Sequence, residues 1–160
     1  MSIGRFYASV GALLWWPAEH KYLILRRSPD KDFAAGGWEC VTGRVDQGEG
    51  FVDAVRREVF EELGVGVQID FIVGTVHFYR GEAKPENEMV GVQFCCSISD
   101  PRGIRMSAEH VEHRWVTAAE AEALFSPDHW LGKVIRRAER IRALLPPALL
   151  AYHRTQGFEL

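Results

Sequence analysis

Residues 50–64, GFVDAVRREVFEELG, leave little choice of conformation. Val52, Val55, Val59 and Leu63 recur at steps of three and four, which puts them on one face of an amphipathic helix, and Gly64 stands where a left-handed terminating residue is expected. With about 100° of rotation per residue, Glu58, Glu61 and Glu62 fall within an arc of roughly 100°, well away from the apolar stripe. Glu58 and Glu62 are like charges one turn apart and repel each other. Arg57 stands four residues before Glu61 and can pair with it, but one arginine does not neutralise three carboxylates.

Two arrangements accommodate such a patch: a solvated acidic face, or a divalent cation held by carboxylate oxygens. Hard Mg2+ or Mn2+ prefers oxygen donors and retains waters that leave room for substrate phosphates. Proton sharing is a third escape, disfavoured on a wet face. The preceding loop GRVDQGEG favours the cation, because Gly43, Gly48 and Gly50 allow backbone to approach a ligand closely between a strand and the acidic helix.

Around this block the chain alternates between strand and helix patterns. Phe6 to Trp16 and Tyr22 to Arg26 are apolar runs separated by a turn, and they predict a hairpin. Arg5 followed by FYASVGALLWW is reminiscent of a short signal peptide, but it ends in Trp15, Trp16 and Pro17 without a small-residue cleavage site, so a buried first strand is the better reading. Ser28 to Gly37 is a polar loop, and Trp38 to Gly43 resumes an extended pattern. Val67 to Arg80 and Met89 to Ser99 are β-rich and flank the polar loop GEAKPENE. HRWV, within Ser107 to Ala123, predicts a short strand followed by a helix, and Trp130 to Leu145 is periodic as a helix until Pro146 and Pro147 stop it. The expectation is an α/β chain forming one domain over residues 1–160, with a C-terminal helical segment from about residue 130.

Composition excludes several classes. With 47% hydrophobic and 26% charged residues the chain is neither disordered nor fibrous, and a formal charge of −3 gives no general attraction to nucleic acid or an acidic membrane. No stretch is apolar for long enough to span a bilayer. Cys40, Cys95 and Cys96 lack zinc spacing and are odd in number, so reduced core cysteines of a cytoplasmic protein are expected, with Cys95 and Cys96 on opposite faces of a strand.

The block from Gly43 to Val65 resembles the Nudix box. That signature is Gly, five residues, Glu, seven residues, Arg-Glu, apolar, any, Glu-Glu, any, Gly, apolar; here Gly43, Glu49, Arg57, Glu58, Val59, Glu61, Glu62, Gly64 and Val65 fill every defined position. EHVEHRWV, Glu109 to Val116, is similar to a later element of many Nudix domains. The resemblance implies an α/β/α sandwich with a mixed central sheet. It also implies metal-dependent hydrolysis of a pyrophosphate bond in a nucleoside diphosphate linked to another group. Glu58, Glu61 and Glu62 become the expected ligands of Mg2+ or Mn2+, with the Gly43 carbonyl completing coordination. Glu61, Glu62, Arg57 and Glu49 form the catalytic set, in which Arg57 orients carboxylates and Glu49 supports the loop or an outer metal position. Many relatives have a second glycine after the first, whereas this chain has Arg44.

Around that set, Arg26, Arg27, Arg44 and Tyr79 are candidate substrate contacts, and Glu112 or a glutamate of GEAKPENE (Glu82, Glu86, Glu88) is a candidate general base. His110 and His113 are too few for zinc and fit structural or substrate-edge roles. Trp38 suits core packing, and Lys133, Arg136, Arg137, Arg140 and Arg142 suit the wet face of the late helix. The substrate expected by default is a nucleoside triphosphate, intact or oxidised. A dinucleoside polyphosphate, a nucleotide sugar and a non-catalytic nucleotide-binding module are the alternatives. No nucleic-acid or membrane partner is expected, and a homodimer is left open.

Overall fold

The computed structural model of the chain describes residues 4–160. Strand β1 (Tyr7–Trp16) turns antiparallel into β2 (Lys21–Arg27), pairing Trp15 with Tyr22 and Trp16 with Lys21, which is the expected hairpin. Beyond that start the two strands separate, and residues 38–44 fill the gap between them. β3 (Trp38–Glu39) pairs with β2 and β4 (Val41–Arg44) pairs with β1, so one extended run forks at Cys40. Helix α1 (Phe51–Leu63) follows and ends at Gly64, whose φ of 69° is the left-handed geometry expected there.

Strands β5 (Gln68–Tyr79) and β6 (Glu88–Ser97) form a second antiparallel pair. β6 then lies parallel to β1 from Tyr7↔Met89 to Trp15↔Ser97, joining the two halves into one mixed sheet. β7 (His110–Val116) is longer than the HRWV expectation and pairs antiparallel with β2. Helix α2 (Ala118–Leu124) starts on a capping box in which the Glu120 N–H donates to Thr117 Oγ1 and the Thr117 N–H donates to the Glu120 carboxylate.

The sheet is covered on both faces, as alternation along β1 requires. Val10, Ala12 and Leu14 face α1 with Val55, Val59 and Leu63. Leu13 and Trp15 face the other way, toward α3 (Trp130–Leu144) with Leu131, Ile135 and Ala138. Cys95 and Cys96 divide between these two cores, and the described cysteines are all free and buried. The architecture is the expected α/β/α sandwich with a mixed sheet. Among the described residues, no helix is long and apolar enough to cross a membrane.

At the C-terminal end the prolines stop the helix as expected, while the placement of Arg142 needs correction. Leu144 does close α3, but Pro147 opens a further helix, α4 (Pro147–Gln156), because proline at the first helical position costs no hydrogen bond. Arg142 is not on the wet face: its guanidinium lies 4.2 Å over Trp15 and 5.3 Å over Phe71. Beside it, Asp70 of β5 is fully buried and takes bonds of 2.7 and 2.9 Å from Arg154 of α4 and 3.1 Å from Ser97 Oγ. This ion pair fastens α4 to the sheet. Asp70→Ala strands Arg142 and Arg154 without their anion and is expected to destabilise the fold by roughly 2–3 kcal/mol, read as a lower urea midpoint at unchanged slope.

Candidate active site

The forked strand and α1 together build the site. Gly43, in β4, faces Glu58 so closely that a Cβ there would come within 1.9 Å of the Glu58 carboxyl carbon. A side chain at this position would push the Glu58 carboxylate out of its place. Arg57 gathers the surrounding acids: its Nε donates to Glu49 Oε1 at 2.8 Å, Nη1 to Glu58 Oε1 at 2.8 Å and Glu61 Oε2 at 3.3 Å, and Nη2 to Glu49 Oε2 at 2.9 Å and the Arg44 carbonyl at 2.8 Å. Glu49 also accepts the Asp46 N–H, which closes the loop before α1. The Arg57 guanidinium and this backbone donor hold the Glu49 carboxyl down to about 2.

Glu62 overturns the picture of a solvated patch. It is buried at 4% exposure, whereas the Glu61 side chain is 58% exposed and that of Glu58 15%. Glu62 shares an arc of α1 with Glu58 and Glu61, but Glu39 of β3 and His110 of β7 lie against its side of the helix. Burial, reinforced by Glu39, Glu58 and Glu109, raises the Glu62 carboxyl to about 9, and the Thr42 N–H opposes the shift. Burial likewise raises Glu58 in spite of its bond to Arg57.

His110 fills the space between two of these acids. Its Nε2 lies 2.8 Å from Glu39 Oε1, and its Nδ1 lies 3.7 Å from Glu62 Oε2. Arg27 closes the chain by donating from Nη1 to both Glu39 oxygens at 2.8 and 3.0 Å and from Nε to the Phe33 carbonyl. Arg27 is thus engaged inside the fold, away from the substrate role expected of it. Glu109 pairs with Lys31 of the Ser28–Gly37 loop at 2.8 Å and contributes to the raised values of both Glu58 and Glu62.

Other expected site residues lie in different pairings. Glu112 binds Arg114 at 2.6 Å and Arg26 at 3.5 Å across the β2–β7 ladder, and these cations lower its carboxyl. Glu88 meets His77 at 2.9 Å where β6 starts, with Tyr79 beside His77 at the end of β5. Arg44 lies 4.2 Å over the Tyr7 ring. Trp38 packs against the α3-side core with Arg114 over its ring, in keeping with the packing role.

Glu39 and Glu109 are members of the cluster that the sequence does not single out, and His110, expected in a structural or substrate-edge role, stands between Glu39 and Glu62. A signal existed for Glu39: in WECV it alternates with Val41, whose side chain faces α1, so a charged group in an apolar strand was aimed at the acidic helix. His110 and Glu109 are brought in by β7, whose pairing with β2 leaves no local mark in the sequence.

These residues fit a hard divalent cation by three features. Among the described residues, Glu62 Oε2 is buried without a hydrogen-bond partner. Gly43 leaves a cradle beside the Glu58 carboxylate, and the donors present are carboxylate oxygens. Among the described residues no three His, Cys, Asp or Glu side chains stand close enough to hold a metal as they are, while Arg57 holds Glu58 and Glu61 by hydrogen bonds.

Comparison with known proteins agrees with this geometry. The sequence pattern of the NUDIX domain matches residues 5–138. The nucleoside triphosphatase NudI of Escherichia coli is 28% identical over 131 residues, covering 78% of this chain and 89% of its own length. An octanoyltransferase of Myxococcus xanthus is 31% identical over 121 residues, or 75% of this chain, but the match spans 32% of that relative's length. The crystal structure of a MutT protein from Methanosarcina mazei Go1 superposes with a TM-score of 0.71 at 26% identity, covering 89% of this chain and 99% of that one. A complete box running from Gly43 of β4 through α1, with the Glu58 carboxylate set against that glycine, and a family match over residues 5–138 lead to one conclusion: the chain belongs to the Nudix hydrolase family.

Proposed function

We propose that the chain hydrolyses a pyrophosphate bond of a nucleoside triphosphate with the help of Mg2+ or Mn2+, and that residues 1–160 work as one Nudix unit. The observation carrying this reading is the buried Glu62 carboxylate, held against Glu58, Glu39 and Glu109 where no structural need calls for it. A carboxyl buried among other acids is costly to a fold, which points to a function that retains it, because hydrophobic replacements are as good or better for stability. The nucleoside triphosphate is supported by NudI, which the match covers almost end to end.

Glu58, Glu61 and Glu62 would hold the cation, with the Gly43 carbonyl as a further oxygen donor. Bound there, it supplies Lewis acidity toward phosphate oxygens and eases deprotonation of water. Arg57 aligns Glu58 and Glu61 while its other edge locks Glu49 and the loop. His110, held by Glu39, stands 3.7 Å from Glu62 Oε2 and walls the buried side of that carboxyl. Glu109, in place of Glu112 or Glu88, is the glutamate outside α1 and β3 that the cluster feels, so it is the base candidate for activating water. Lys31, paired with Glu109, brings a positive charge to the same rim.

Four outcomes test this. A screen of nucleoside triphosphates with product identification should show turnover that EDTA abolishes and Mg2+ or Mn2+ restores; turnover unaffected by EDTA refutes the metal. Glu62→Gln and Glu58→Gln should each lower kcat by about two to three orders of magnitude. With divalent cation withheld at pH 7, Glu62→Gln should also raise Tm by about 2–4 °C, since glutamine can be buried without the proton that Glu62 has to take up on folding; a lower Tm would mark Glu62 as structural. Finally, Glu109→Gln should reduce kcat by roughly 10²-fold or more while Glu112→Gln leaves it near wild type. The reverse pattern assigns the base to Glu112.

A further inference from the structure

Helix α1 carries the reactive carboxylates yet has no cap of its own. Gly50 occupies its N-cap with extended backbone, φ −87° and ψ 170°, and offers no side chain to the N–H groups of the first turn. The acceptor arrives from the far end of the chain: the Val52 N–H donates to Glu159 Oε1 at 3.1 Å. A Cβ on Gly50 would lie 2.6 Å from both Glu159 carboxylate oxygens. The φ of Gly50 is one that any residue adopts, so a side chain there would cost little in backbone strain but would displace the Glu159 carboxylate from the N-cap. The placement also sets a negative charge against the positive end of the helix dipole.

The segment around Glu159 is seated by contacts of its own. Phe158 packs edge-on against Phe94 at 5.9 Å, within the core that contains Val55 and Val59 of α1. His153 stacks on Phe158 at 4.8 Å, and Arg154, one residue further, is bound to buried Asp70. From β5 to the first turn of α1 the contacts are continuous. This segment lies beyond residues 5–138, the part of the chain that matches the family pattern.

We propose that Gly157–Glu159 is a strap that fixes the start of α1, and that Glu159 is a positioning residue for Glu58, Glu61 and Glu62. Its catalytic meaning rests on the hydrolase reading above. Glu159 stands outside the carboxylate cluster and bonds the Val52 N–H instead. It acts by holding the first turn, so that Arg57 and the carboxylates one and two turns later keep their places over Gly43.

The test uses the full chain with Glu159→Ala, Glu159→Gln and Phe158→Ala, and two readouts that need no turnover. Hydrogen exchange at the Val52 amide should accelerate roughly two- to tenfold in Glu159→Ala and Phe158→Ala, while Glu159→Gln, which keeps an acceptor oxygen, should recover most of the protection. The Mg2+ concentration giving half-maximal thermal stabilisation should rise in the same two variants by about two- to tenfold. With nucleotide, kcat at subsaturating Mg2+ should fall while KM for the nucleotide holds. Wild-type exchange in Glu159→Ala overturns the strap, and faster exchange with an unchanged Mg2+ midpoint and kcat reduces Glu159 to a structural cap and overturns the positioning role. A wild-type chain that binds Mg2+ but cleaves no nucleotide overturns the hydrolase reading alone, because the Mg2+ midpoint still decides the role of Glu159.

Discussion

Arg57 is the cation around which the site is organised. Its planar guanidinium reaches Glu49 with two nitrogens, the Arg44 carbonyl with one of them, and Glu58 and Glu61 with the third. Each contact joins a different part of the chain: the loop that leaves β4, the strand end itself and the body of α1. A lysine could offer charge but not this fixed fork, so the geometry depends on arginine in particular. With Arg57 in place, loop and helix move as one piece, and Glu58 is pressed toward Gly43.

Glu62 shows the opposite economy. Arg57 gathers Glu49, Glu58 and Glu61, while Glu62 faces His110 at 3.7 Å in a buried space shared with Glu39. The site therefore combines a satisfied half, on the loop side, with an electrostatically loaded half under β3 and β7. Such a division is expected where folding stability and chemistry make different demands on the same helix.

Much of this was written in local sequence pattern. The valine stripe and Gly64 defined α1, the turn at residues 17–20 defined the hairpin, and the acidic arc placed three glutamates together. What escaped was set by long-range pairing. The β2–β7 ladder carries Glu109 and His110 to α1, and no window containing either residue reports that encounter. Arg27 looked available at a strand end, but the run from Trp38 folds back beside it and supplies Glu39. Helix α4 was hidden by Pro146 and Pro147, which stop one helix and open another with the same pair of residues.

The cap on α1 also has a consequence in time. Glu159 follows Val52 by 107 residues, and the Ser9 hydroxyl that bonds Val90 in the central parallel ladder is separated from it by 81. A chain leaving the ribosome makes α1 early, yet that helix waits for β6 to complete the sheet beneath it and then for the strap to close its first turn. Contacts of such sequence separation form slowly. During synthesis residues 51–63 are made long before Glu159, so the bond that closes the first turn of α1 cannot form until 107 further residues have followed Val52.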